Sequence, residues 1–110
     1  MAVRFELHKN DKGQFHFALK TEEGATVLSS EQYESKASAE NGIASVKKNS
    51  VLPERFDKQT ASDGRAYFTL KAANHQVVGT SPMFDTTDKR DAMLAMAHAE
   101  AEHAAVQDHT

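Results

Sequence analysis

The chain has no cysteine, which excludes a disulfide framework and any thiolate-held metal. Long apolar runs are missing too. No stretch approaches the roughly 18 residues of a membrane-spanning helix, and Met1-Ala2-Val3-Arg4-Phe5 has none of the hydrophobic length of a signal peptide. These absences lead us to expect a soluble cytoplasmic protein without membrane contact. Nor is there an excess of positive charge. At a formal net charge of −3 the surface offers phosphate no general attraction, so a nucleic-acid role requires a local basic patch. Gly-x-Ser-x-Gly does not occur. The glycines Gly13, Gly24 and Gly64 stand singly at turns and build no phosphate-binding loop.

What is present is repetition. Shifted by 51 residues without a gap, the sequence lies on itself: Phe5 on Phe56, Gly13 on Gly64, Phe17 on Phe68, Leu19 on Leu70, Lys20 on Lys71, Val27 on Val78, Ser30 on Ser81 and Ala44 on Ala95. Tyr33 meets Phe84, and Ile43 meets Leu94. Turn glycines, core aromatics and helix positions match together, as a tandem duplication requires. The repeats run over about residues 3–50 and 54–106 of a single domain of 110 residues. One copy alone has too little interior to be stable.

Each copy reads as three strands and a helix. Val3 to Leu7 alternates apolar and polar, as do Phe15, Phe17 and Leu19, the period of half-buried strands. Asp11-Lys12-Gly13 and Glu22-Glu23-Gly24 are turns, and a third strand surrounds Val27. Ser35 is placed as the N-cap of a helix reaching about Asn49, and Leu52-Pro53 stops it. In the second copy the turns are Ser62-Asp63-Gly64 and Ala73-Asn74-His75, with Asn74 expected in the left-handed conformation. Helix two is expected from Thr86 or Thr87 to about Val106, with Gln107 to Thr110 frayed. The fold class is α+β: tandem βββα units sharing antiparallel sheet and core about a pseudo-twofold axis, a monomer built as an internal pseudo-dimer.

"ENGIASVKKN" poses a packing question. Gly42 sits inside a helix, where Gly costs roughly 1 kcal/mol relative to Ala. Its neighbours Ala39, Ile43 and Val46 form the apolar stripe. One reading is that Gly42 permits close approach to the sheet or to helix two, with Met93, its counterpart, filling the complementary space. The alternative is a tolerated surface glycine.

The stretches "SKASAENGIASVKKN" and "TASDGRAYFTLKAANHQVVGTSPMF" resemble the YegP-like family of uncharacterised bacterial proteins. The resemblance covers nearly the whole chain and implies tandem β3-α units; it brings no activity and no catalytic residues. Two departures stand out. His75 occupies a turn position where the family usually has glycine. Helix two, "RDAMLAMAHAEAEHAA", has lost the wording of helix one. A ligand site built on that wording would exist once here and not twice.

Of the six histidines, His98 and Glu102 are expected on one face of helix two at i and i+4. His103 points elsewhere, so the set lacks a third metal ligand and reads as a solvated helix end. No metal and no cofactor are expected. Ser29 and Ser30 adjoin Glu31 at a strand end, with no histidine placed beside them. Tyr33 and Phe84 dock the helix entries on the core. If Phe15, Phe17 and Leu19 face inward, His16 and Lys20 face outward, as do Tyr67 and Lys71 in the second copy. Such a face could stack and neutralise a nucleotide or single-stranded nucleic acid, or it is merely a solvated sheet surface. The sequence therefore favours a non-enzymatic binding or interaction module, with a protein partner or single-stranded nucleic acid as candidates. Nucleic-acid or nucleotide binding by the sheet face is the alternative. An enzyme whose residues meet only in three dimensions ranks last.

Overall fold

A computed structural model describes residues 3–110. Strands β1 (Val3–Lys9), β2 (Phe15–Thr21) and β3 (Thr26–Ser29) precede helix α1 (Lys36–Ser50). Strands β4 (Phe56–Thr60), β5 (Ala66–Lys71) and β6 (Val77–Thr80) precede helix α2 (Thr87–Glu100), and β7 (Ala105–Asp108) follows. All seven strands join one sheet in the order β4-β5-β6-β3-β2-β1-β7. The two meanders meet at β3 and β6, where Ser29 pairs with Thr80. These residues are 51 apart and hence equivalent, so the pseudo-twofold axis passes between them.

The repeat extends to side-chain hydrogen bonds. Ser35 Oγ accepts from Ser38 N, and Thr86 Oγ1 accepts from Lys89 N, each at 3.1 Å, capping the two helices. The Ser30 and Ser81 hydroxyls accept from Phe17 N and Phe68 N at 2.9 Å. They also donate to the carbonyls of Glu31 and Pro82 at 2.8 Å. Ser30 is thus occupied in closing the end of its strand. Both helices cover the face that carries Phe5, Phe17, Leu19, Phe68 and Leu70, and Ala39, Ile43, Val46 and Ala97 join the same core. Met93 and Leu94 are half-buried against it.

Three expectations need correction. In the second-copy turn, His75 and not Asn74 is left-handed, at φ 69°. Asn74 instead accepts Gln76 N through its Oδ1, at 3.0 Å, which holds it as the turn's side-chain anchor. Glycine tolerates the left-handed region far better than histidine. His75→Gly should therefore raise stability by about 0.5–1 kcal/mol. The check is a higher urea midpoint at unchanged m-value; an unaltered or lower midpoint would show that the turn carries no strain.

The second correction concerns the C-terminus. Helix α2 stops at Glu100, a 3-10 turn spans Ala101–His103, and residues 105–108 form a strand where helix to about Val106 and fraying from Gln107 were expected. The duplicated topology explains it. Helix α1 delivers the chain to β4, at the outer edge of the other half. Helix α2 delivers it to the outer edge of the first half, where β1 already stands. The chain therefore adds outside β1, parallel to it, with Phe5 opposite Val106. Every residue of this short strand is exposed, so no apolar alternation announces it.

Third, His98 is not a solvated helix end. It is half-buried and donates from Nδ1 to Ser50 O at 2.8 Å, tying α2 to the end of α1, with Phe56 edge-on to its ring. Glu102 lies beyond α2 in the 3-10 turn, and its carboxylate pairs with His103 at 3.3 Å.

Candidate functional site

The C-terminal half of α1, the following linker and the turn between β5 and β6 enclose a groove of about 610 Å³. Asn41, Ser45 and Lys48 line it from the helix at the three-to-four residue spacing of one face. Its floor is organised by Asn49, which is buried although polar. The Asn49 amide donates from Nδ2 to Ser45 O at 2.8 Å and to Ser45 Oγ at 3.2 Å. Its Oδ1 accepts from Arg55 Nη1 at 2.6 Å. The chain itself turns tightly here, with Leu52 N donating to Asn49 O and Arg55 N to Leu52 O. Ala72, Ala73 and Asn74 form the opposite wall.

The electrostatics follow from that lining. Lys48 and Arg55 are its only charged members, and no carboxylate is among them. On a chain of net charge −3, this is a local reversal of sign. Arg55 also lines an adjoining hollow of about 300 Å³ together with Lys71, His75, Glu54 and Asp57. In that hollow the charges are mixed, and Lys71 is already paired with Asp57 at 3.0 Å. Duplication did not repeat this lining. At the positions equivalent to Asn41, Ser45, Lys48, Asn49 and Arg55 stand Ala92, Met96, Ala99, Glu100 and Val106.

The four outward residues named from sequence lie on the helix-free face, all half-exposed. The register does not bring them together. Because β2 and β5 run antiparallel across β6 and β3, His16 shares one end of the sheet with Lys71, and Lys20 shares the other with Tyr67. The two strands are three spacings apart, roughly 14 Å, so no ring stands beside a lysine. Between them Ala18 and Thr69 are buried. The face is also laced with ion pairs: Arg4 with Glu6 at 2.8 Å, Glu6 with His8 at 3.1 Å, and Lys71 with Asp57. The His8 and Arg4 partners hold the Glu6 carboxyl below its ordinary range against the opposing effect of burial.

The sequence reading overlooked a histidine stack at one end of this face. The His8 ring stacks on His16 at 5.4 Å and on His109 at 4.9 Å. His109 N donates to Leu7 O, which brings its ring alongside. His8 and His16 are directly opposed in the β1–β2 hairpin, a pairing that counting outward from the turn at Gly13 would have found. His109 could not be foreseen without β7. Among the described residues no group of three or more His, Asp or Glu is placed to hold a metal ion.

Burial, and secondarily the proximity of His8, push the His16 imidazole below its ordinary value. A depressed histidine binds protons less readily folded than unfolded. Its contribution to stability is therefore complete above the unfolded pKa of about 6.5 and is lost as pH falls below it. The melting temperature should decline between pH 7.5 and pH 5, and His16→Gln should flatten that decline. A profile of equal slope in the variant would remove His16 as its source.

The fold and groove define a class: a tandemly duplicated α+β protein with a groove whose basic and amide side chains belong to one copy's helix and linker and are not repeated in the other. Residues 10–57 and 61–108 each match a domain of unknown function, DUF1508, their starts separated by the same 51 residues as the internal repeat. The chain belongs to this family, the uncharacterised UPF0339 proteins that include YegP. It is 51% identical to the YegP protein of Shigella flexneri and 50% identical to that of Escherichia coli K12, over the full length of both chains in each comparison. The solution structure of E. coli YegP superimposes with a TM-score of 0.91 at 50% identity, covering 100% of this chain and 95% of that one. That of a UPF0339 protein from Shewanella oneidensis gives 0.92 at 40% identity, covering 98% of this chain and 92% of that one. Each of the two matched regions runs past its helix into the strand that follows, the start of β4 in the first and β7 in the second, so β7 belongs to the repeat.

Proposed function

We propose that this protein is a non-enzymatic binding module of the cytoplasm, a monomer with an internal pseudo-dimer, whose ligand enters the groove between α1 and the β5–β6 turn. One observation carries the reading: the basic and amide side chains that line the groove occur in one copy of a duplicated fold and are replaced at the equivalent positions of the other. A requirement of the scaffold itself would be met in both halves. Binding is favoured over catalysis because Ser45, the one hydroxyl of the groove, is engaged by the Asn49 amide and faces no base. Nucleic-acid binding by the sheet face is less favoured, since two of its basic groups, Arg4 and Lys71, are already paired with carboxylates and the register separates Lys20 from Lys71.

The test is a heteronuclear NMR screen against a broad small-molecule fragment library, with single-stranded oligonucleotides as a separate arm. Saturable shifts at residues 41–49 and 72–74 support the groove. Shifts confined to His16, Lys20, Tyr67 and Lys71 on oligonucleotide addition would transfer function to the sheet face. Silence of the groove across the library would end the proposal.

A further inference from the structure

We infer that the groove selects a hydroxylated small molecule carrying one oxyanion, a phosphate or a carboxylate on a polyol frame such as a sugar phosphate or a sugar acid. The inference rests on the groove reading above and adds the chemistry of the ligand.

The anion is assigned by Arg55. Its guanidinium uses Nη1 on Asn49 at 2.6 Å, and the same buried amide is fixed by Ser45. The planar fork is thus oriented before any ligand arrives, and its other N–H donors remain for a second planar acceptor. Guanidinium and oxyanion match in this geometry by paired, charge-assisted hydrogen bonds. Lys48 supplies a second positive charge from α1, and no lining carboxylate competes with the ligand.

The remainder of the lining decides what the anion is attached to. No aromatic residue lines the groove, so a nucleobase would find no ring on which to stack, and Arg55, held edge-on by Asn49 through Nη1, is assigned to the anion. The polar side chains besides the two cations are the amides of Asn41, Asn49 and Asn74 and the hydroxyl of Ser45. Asn49 is engaged by Ser45 and Arg55. Asn41, Asn74 and Ser45 both donate and accept, as a frame of several hydroxyls requires, and Ala44, Leu52, Ala72 and Ala73 offer its carbon-bound faces apolar contact. A volume of about 610 Å³ falls within the range of small-molecule sites.

Titration of the full-length protein with glucose 6-phosphate, gluconate, glucose and AMP, followed by amide and Arg55 Nε shifts, tests this. Glucose 6-phosphate or gluconate should shift the groove residues saturably, and which of the two binds tighter distinguishes phosphate from carboxylate. Arg55→Gln should weaken that binding about tenfold or more, while Arg55→Lys, which keeps the charge and loses the fork, should fall between. Amide spectra of the free variants establish that each is folded. Glucose binding as well as its phosphate, AMP binding better than both polyol anions, or Arg55→Gln leaving affinity unchanged would overturn the inference. So would silence of the groove toward both polyol anions. If fragments without an anion still occupy the groove, the inference fails and the groove reading stands. If the fragment library leaves the groove silent as well, both fail.

Discussion

Replacing Gly79 with leucine is expected to lower the unfolding free energy by about 3 kcal/mol, at the upper end of overpacking effects. The reason lies at the pseudo-twofold axis. Gly79 and Leu28 are equivalent residues of the two copies, and each pairs with a buried leucine of its own meander, Leu70 and Leu19. A Cβ placed on Gly79 would stand 2.8 Å from Leu28 Cδ1, and Leu28 is completely buried. Near a twofold axis, two large equivalent side chains compete for one space. Here a leucine from one copy fills it and the other copy contributes none. The diagnostic experiment is the exchange. Leu28→Gly alone should cost about 4 kcal/mol through the cavity it leaves. The double variant Leu28→Gly/Gly79→Leu should lose at least about 1 kcal/mol less than the sum of the two single losses, the signature of residues sharing a cavity. Additive losses in denaturant unfolding would show that the two positions do not share the space.

Gly42→Ala should cost about 1–2 kcal/mol, the balance of a steric loss over a helix-propensity gain of roughly 1 kcal/mol. The added methyl would lie 2.7 Å from Phe17 Cε2 and 2.7 Å from Tyr33 Oη. Neither ring yields easily. Phe17 is fully buried with Phe5 edge-on to it, and Tyr33 stacks on Phe17 at 6.2 Å. Burial also drives the Tyr33 hydroxyl above its ordinary pKa. Tyr33→Phe in the Gly42→Ala background removes one of the two overlaps and should recover part of the loss. An increase in stability on Gly42→Ala would mean that the rings move aside freely. The atoms that Gly42 meets belong to its own copy. It sets the distance of α1 from the sheet, and the Gly-to-large complementarity between copies occurs at Gly79 and Leu28, not at Gly42 and Met93.

Most of the architecture was legible because it was written twice. The match of Gly13 with Gly64 and Phe17 with Phe68 located the hairpins and the buried strands. Ser35 and Thr86 located the helix starts by a hydrogen bond that depends only on local geometry. The reading failed where a local signal was absent or ambiguous. Strand β7 has no buried residue and takes its order from β1, so Ala105 to Asp108 resembled the end of a helix. Asn74 and His75 are adjacent candidates for one left-handed position, and the Asn74 side chain was needed elsewhere in the turn. The groove was not legible: the ligand face was expected on the sheet at His16, Lys20, Tyr67 and Lys71, and the one hint was that helix one kept a wording that helix two had lost. Its central pair, Asn49 and Arg55, meets only because the linker doubles back between them.

The sequence by itself determined the duplication, the six strands of the two meanders, the two helix starts and the inward face of these strands. These follow from periodicity and from turn and cap chemistry, which act over a few residues. Tertiary structure alone decided the meeting of β3 with β6, the docking of β7, the addition of His109 to the His8–His16 pair and the orientation of Arg55 by Asn49. Each of these joins residues through the fold or through a turn whose path no periodicity encodes.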